Sequence, residues 1–226
     1  MELLRHKELD YAIRYPKSLS KDTPSEKKYP LFFYLHGAGG RGRDTSVILN
    51  NSVFTYSEEH LAEAVTVIPQ CYADSWFDIF EQLQDFIQAM IDLPYVDNQR
   101  VYAMGGSMGG YTTWQIAMSH PEWFAAILPI CGGGMYWNAS RLKNMSVWAF
   151  HGDADPTVFC EESIKMVNAI NKKSGRNNAK LTIYEGVGHN SWDPTLSNPE
   201  VWQWMLEQRN EYAPVRTEFN DVKTYG

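Results

Sequence analysis

An α/β fold, with a mostly parallel central sheet and helices on both faces, is what this sequence predicts, on three observations. Seven short β-rich runs alternate with longer segments of helical period, the order in which crossover units build a parallel sheet. Several of the runs are apolar throughout, as strands covered on both faces require. The 226 residues, 44% hydrophobic and 14% aromatic, suffice for one well-filled core, so residues 1–226 read as a single domain.

The predicted strands are LDYAIRYP (9–16), PLFFYLHG (30–37), AVTVIPQ (64–70), QRVYAMGG (99–106), FAAILPICGG (124–133), SVWAFHGD (146–153) and KLTIYEGV (180–187). Between them, FDIFEQLQDFIQAMIDL (77–93) sets Phe77, Phe80, Leu83, Ile87 and Met90 on one helical stripe. MGGYTTWQIAMSH (108–120) and VFCEESIKMVNAINKK (158–173) are the next helices. NPEVWQWMLEQRN (198–210) is the last, with Pro199 suited to a first helical turn. The remaining tail, 211–226, is polar and is expected to be loosely held.

Composition narrows the function. A formal charge of −7 and a pI near 5.4 argue against a nucleic-acid partner, which needs clustered Lys and Arg. Cys71, Cys131 and Cys160, at spacings of 60 and 29, fit neither a disulfide framework nor a zinc site and read as reduced structural thiols. No metal and no cofactor are expected. The N-terminus lacks the apolar run of a signal peptide, and no stretch reaches the ~18 apolar residues of a membrane span. The expectation is a soluble cytoplasmic protein, or a secreted or periplasmic one if a leader has been removed. Oligomeric state leaves no mark in the sequence.

The chemistry centres on MGGSMGGY (104–111), where Gly105, Ser107 and Gly109 spell GxSxG between a β-rich run and a helical one. A serine on a sharp strand-to-helix turn holds strained backbone, and the flanking positions approach neighbouring chain too closely for a β-carbon. Its hydroxyl needs a base, and the base needs a carboxylate to hold its tautomer. Of six histidines, His120, His151 and His189 follow Ser107. SVWAFHGDADPTV offers Asp153 and Asp155 after a later strand, which leaves His189, in EGVGHNSW, as the base. Asp155 is favoured as the acid because Pro156 ends the turn and directs the preceding side chain away from the strand, whereas Asp153 is expected to bind loop backbone. The Met108 N–H is one expected donor to a developing oxyanion. The second should come from HGAGGRG (36–42), with Ala38 preferred and Gly39 the near alternative, and His36 bracing the loop.

That loop also spells GxGxxG at Gly37, Gly39 and Gly42, the dinucleotide fingerprint. Against it, RDTSVILNNSVFTY shows no clean amphipathic helix opening on the third glycine, and Pro69-Gln70 stands where an acidic ribose ligand is wanted.

Taken together, HGAGG after PLFFYL, SWFDI (75–79), GGSMGG, HGDADPTV and GHNSW resemble the phospholipase/carboxylesterase branch of the α/β-hydrolase superfamily, over roughly residues 28–208. They are also similar to the related esterases and peptidases akin to dienelactone hydrolase and feruloyl esterase. The resemblance implies Ser107 as nucleophile, Asp155 as acid, His189 as base and Ala38 with Met108 as oxyanion donors. It implies Trp76 beside the acyl or alcohol pocket, with Gly39 and Trp192 as further substrate contacts. Only GMYWNASRLKNM (134–145) separates two strands where interfacial lipases carry a large helical lid, so an open pocket is expected, with Met135, Tyr136 and Trp137 as one wall. The implied activity is carboxylic ester hydrolysis on a small-molecule or polysaccharide-linked ester. A peptidase or thioesterase would use the same residues, and a non-catalytic binding module is the alternative of another class.

Overall fold

The computed structural model describes residues 1–19, 26–175 and 178–213. Eight strands form one sheet: β1 (Glu2–His6), β2 (Leu9–Arg14), β3 (Tyr29–Leu35), β4 (Val65–Pro69), β5 (Val96–Gly106), β6 (Ala126–Ile130), β7 (Ser146–Gly152) and β8 (Ala179–Tyr184). Their order is β1-β2-β4-β3-β5-β6-β7-β8, parallel from β4 to β8 and antiparallel at the β1–β2 and β2–β4 pairs. All seven predicted strands are present. Strand β1 is additional: it is largely exposed on both faces and attached only along one edge, so it carries no hydrophobic alternation to read. Arg5 on β1 bonds the Asp10 carboxylate on β2, with Nη2 at 2.8 Å.

The helices are α1 (Ser46–Leu49), α2 (Val53–His60), α3 (Phe80–Ile91), α4 (Met108–Ser119), α5 (Glu161–Ser174), α6 (Trp192–Leu196) and α7 (Pro199–Glu207). Helix α7 starts as its sequence predicts, with Pro199 in the first turn and the Asn198 side chain accepting the Glu200 N–H at 3.0 Å. Helices α1 and α2 lie in the stretch where the sequence shows no clean period. They are too short, at four and eight residues, for a periodic signal to accumulate.

The two faces of the sheet carry separate cores. Along β3, Leu31, Phe33 and Leu35 face one, where Leu83, Phe86 and Ile87 of α3, Trp114 of α4 and Met166 of α5 pack. Phe32 and Tyr34 face the other, with Val53 of α2 and Val201, Trp202 and Met205 of α7. A period of two between two apolar layers is why these strands are apolar throughout. Phe77 departs from the predicted α3 stripe: α3 begins at Phe80, and Phe77 stands 49% exposed in the preceding turn. Of the expected loose tail, residues 214–226 lie outside the described residues. Cys71 and Cys131 are buried, Cys160 is half-buried, and all three are free thiols. Among the described residues, no helix is long and apolar enough to cross a membrane.

Candidate active site

Because β3 to β8 run parallel in one sheet, their C-terminal ends share one rim, and the loops leaving them converge there. Gly37–Gly39 follow β3, Ser107 follows β5, Asp155 follows β7 and His189 follows β8. A cavity of about 460 Å³ opens on this rim, lined among others by Tyr34, Ala38, Gly39, Ser107, His189 and Trp192.

Ser107 sits at φ 56°, ψ −118°, left-handed backbone that a side chain rarely adopts. Its N–H bonds the Ile130 carbonyl at 2.9 Å, pinning the turn to β6. The neighbouring glycines make the turn possible. A β-carbon at Gly109 would lie 1.8 Å from the Leu35 carbonyl oxygen, and one at Gly105 would lie 2.4 Å from the Gly109 oxygen.

The Ser107 hydroxyl lies 2.9 Å from His189 Nε2, and His189 Nδ1 lies 2.7 Å from Asp155 Oδ2. An ionised carboxylate only accepts, so Nδ1 carries the proton and Nε2 is left to accept from the hydroxyl. Burial alone would push the Asp155 carboxyl up. Hydrogen bonds from His189 and from the Val158 and Thr157 N–H groups outweigh it and hold the group below the usual carboxylate range. Asp153 instead accepts the Gly186 N–H at 2.7 Å, shaping the loop that carries His189. Trp192 meets the His189 ring edge-on at 5.7 Å.

Met108 is the first residue of α4, and Ala38 the first of a 3-10 turn spanning Ala38–Gly40. Helical bonding supplies such first N–H groups with no acceptor inside their own helix. His36 is buried behind this loop, its Nδ1 donating to the Gly37 carbonyl at 2.8 Å and its Nε2 accepting the Cys71 N–H at 3.0 Å.

Burial lowers the His36 pKa, and the Gly37 hydrogen bond only partly restores it. The unfolded chain takes up this proton near pH ~6.5 and the folded chain refuses it until lower pH. This contribution to stability is therefore complete above ~6.5 and is lost as pH falls through the depressed folded value. The urea midpoint is expected to drop between pH 7.5 and 5, and to drop less steeply in His36→Gln; parallel slopes in the two proteins would contradict it.

Trp76 requires a correction. It does not border the cavity: the side chain is fully buried against His36, and its indole N–H donates to the His36 carbonyl at 3.0 Å. An indole offers one donor on a large apolar body, and here the donor props the loop from beneath. Two neighbours of Trp76 along the chain do reach a hollow. Phe77 and Phe80, with Tyr111, Gln115, Gly133, Gly134 and Met135, line an apolar space of about 520 Å³ that begins one helical turn beyond Ser107. Met135 thus lines it, whereas Tyr136 and Trp137 stand exposed at 52% and 71% in the short 3-10 segment Tyr136–Leu142 between β6 and β7.

His151 has no role assigned by its sequence context. It is fully buried beside Asp155, with Nε2 at 3.3 Å from Oδ2, and its place four residues ahead of that aspartate was the available signal. Cys131, Asp155 and His189 also bring potential metal-ligating atoms within 4.8 Å of one another. Both Asp155 oxygens and both His189 nitrogens already have hydrogen-bond partners, and burial pushes the Cys131 thiol up to about 12, keeping it protonated.

The mostly parallel sheet with helices on both faces and the serine on a strand-to-helix turn are the architecture of the α/β-hydrolase fold. The model of the prolyl oligopeptidase family matches residues 77–143. By sequence the chain is 25% identical over 174 residues to a probable feruloyl esterase C of Aspergillus terreus, covering 74% of this chain and 64% of that protein. It is 28% identical over 142 residues to the putative esterase NocK of Nocardia uniformis subsp. tsuyamanensis, covering 56% of this chain and 40% of that protein. The crystal structure of a thermostable esterase superposes with a TM-score of 0.78 at 32% identity, over 92% of this chain and 62% of that one. The resemblance to the esterase side of the superfamily therefore holds in sequence and in three dimensions, while the chain spans under two thirds of the length of these relatives.

Proposed function

We propose that this protein is a serine hydrolase that cleaves carboxylic esters, with Ser107 as nucleophile, His189 as base and Asp155 as its orienting acid. The observation that carries the reading is His189 bonded on one side to Asp155 at 2.7 Å and on the other to Ser107 at 2.9 Å. Ser107 Oγ attacks the ester carbonyl as its proton passes to His189 Nε2, and the Asp155 carboxylate stabilises the imidazolium that forms. The tetrahedral oxyanion is held by the N–H groups of Met108 and Ala38, with Gly39 next in line. His189 returns the proton to the leaving alkoxide, the acyl group stays on Ser107, and water repeats the cycle through the same imidazole. The apolar hollow at Phe77, Phe80 and Tyr111 suits an acyl or aromatic group, and the open rim near Trp192 suits an alcohol attached to something bulky, such as a polysaccharide.

A peptidase is the second reading, favoured by the family model that matches residues 77–143. A fluorophosphonate probe followed by a panel of p-nitrophenyl esters and dipeptide anilides tests both. Labelling at Ser107 with turnover of the esters is expected. Turnover of the anilides alone would shift the assignment to a peptidase, and unlabelled, folded protein would turn it to a binding module.

A further inference from the structure

A second histidine stands behind the proposed acid, and it has no part in the proton transfers described above. His151, in β7, is wholly inaccessible to solvent, yet both of its ring nitrogens are engaged. Nε2 lies 2.9 Å from the Val158 carbonyl oxygen and 3.3 Å from Asp155 Oδ2, two oxygens that only accept, so Nε2 carries a proton. Nδ1 lies 2.8 Å from Ser163 Oγ in α5, which in turn lies 3.0 Å from the Gly132 carbonyl just beyond β6. The ring is thus tied to the elements on either side of the acid-bearing loop.

Val158 is the hinge of the arrangement. Its N–H donates to Asp155 Oδ1 at 3.0 Å, while its carbonyl takes the His151 Nε2 proton. Oδ1 therefore faces the Thr157 and Val158 amides, and Oδ2 is flanked by His189 and His151. A carboxylate with a donor group on each side cannot rotate about its Cβ–Cγ bond without breaking several contacts, so Oδ2 stays aimed at His189 Nδ1.

We propose, on the reading of Ser107, His189 and Asp155 given above, that His151 is a positioning residue whose Nε2–H locks the Asp155 carboxylate and the 155–158 loop in the orientation that aligns His189. It touches no substrate and moves no proton in the reaction. Its effect passes through Asp155.

Two substitutions separate this role from simple space filling. In His151→Gln the side-chain amide can place an N–H near the Nε2 position, towards Val158 and Asp155. In His151→Asn it reaches only the Nδ1 position, towards Ser163. Carboxylate–histidine pairs at metal sites lose roughly 10- to 100-fold when an outer partner is removed. By that measure kcat for a p-nitrophenyl ester is expected to fall about 10-fold or more in His151→Asn, to stay within about 3-fold in His151→Gln, and KM to hold steady in both. Equal kcat in the two variants, or a better Asn variant, would overturn the proposal while leaving the esterase reading intact, since Ser107→Ala tests that reading separately. Imidazole ¹⁵N spectra of the unaltered protein decide the matter if either variant fails to fold: a proton on His151 Nε2 is expected, and a bare Nε2 would refute the role.

Discussion

Alanine at position 107 is expected to lower ester turnover by ~10⁴-fold or more while the thermal midpoint moves by no more than about 2 °C. The size of the loss follows from removing the atom that forms the acyl-enzyme in the proposed mechanism. Groups that act as a unit fail together, and in the proposed mechanism the remaining rate comes from the two backbone donors and from binding. The small effect on stability follows from the geometry. The hydroxyl makes one side-chain hydrogen bond, to His189, at a half-buried position, whereas the left-handed turn is held by the Ser107 N–H to Ile130 and by the surrounding glycines, which alanine leaves in place. Steady-state turnover with thermal unfolding checks both halves. Undiminished turnover in a folded Ser107→Ala protein would remove Ser107 from the mechanism.

Gly109→Ala should produce the opposite pattern, a collapse of stability in a residue that performs no chemistry. The added methyl would lie 1.8 Å from the oxygen and 2.5 Å from the carbon of the Leu35 carbonyl, with the His36 oxygen at 2.9 Å. Those atoms are backbone at the end of β3, in the middle of the sheet, and cannot rotate aside as a side chain would. Helix α4 would have to lift off β3, disturbing the packing of Trp114 and the turn at Ser107 together. We expect a loss of at least about 3 kcal/mol, the upper range for overpacking a filled interior. For a chain of this size that is a fall of roughly 6–12 °C in the melting midpoint. Gly39→Ala is the control, since a β-carbon there meets nothing within 4 Å. A Gly109→Ala protein as stable as Gly39→Ala would show that the close approach of α4 to β3 is misplaced.

Some of this molecule could be read without any neighbour in view. The runs that became β3, β4 and β6 were legible because an apolar strand between two layers announces itself within a few residues, and β2, β5, β7 and β8 because they are short β-rich runs between helical segments. Helices α3, α4, α5 and α7 were legible because a period near 3.6 accumulates over nine residues or more. Ser107, Asp155 and His189 could be named as candidates since each stands in a glycine- or proline-marked loop directly after a strand, and turn chemistry is local.

Other features depended on chain far away. Strand β1 exists through its pairing with β2, and its own residues carry no pattern of burial. Trp76 and Phe77 are adjacent aromatics, yet one lies under the His36 loop and the other stands at the rim of a hollow, a distinction made by what packs against them. His151 looked like any histidine at the end of a strand until α5 and the Val158 loop closed around it.

The sequence by itself determined which segments are strands and helices and which side chains are chemically able to act, because periodicity and turn preference are properties of a few consecutive residues. Tertiary structure alone decided which of those side chains meet, which aromatic faces inward and what holds the carboxylate still, because distances between atoms on separate strands are set by sheet order and by the close contact of glycine backbones, and neither is written at any one position.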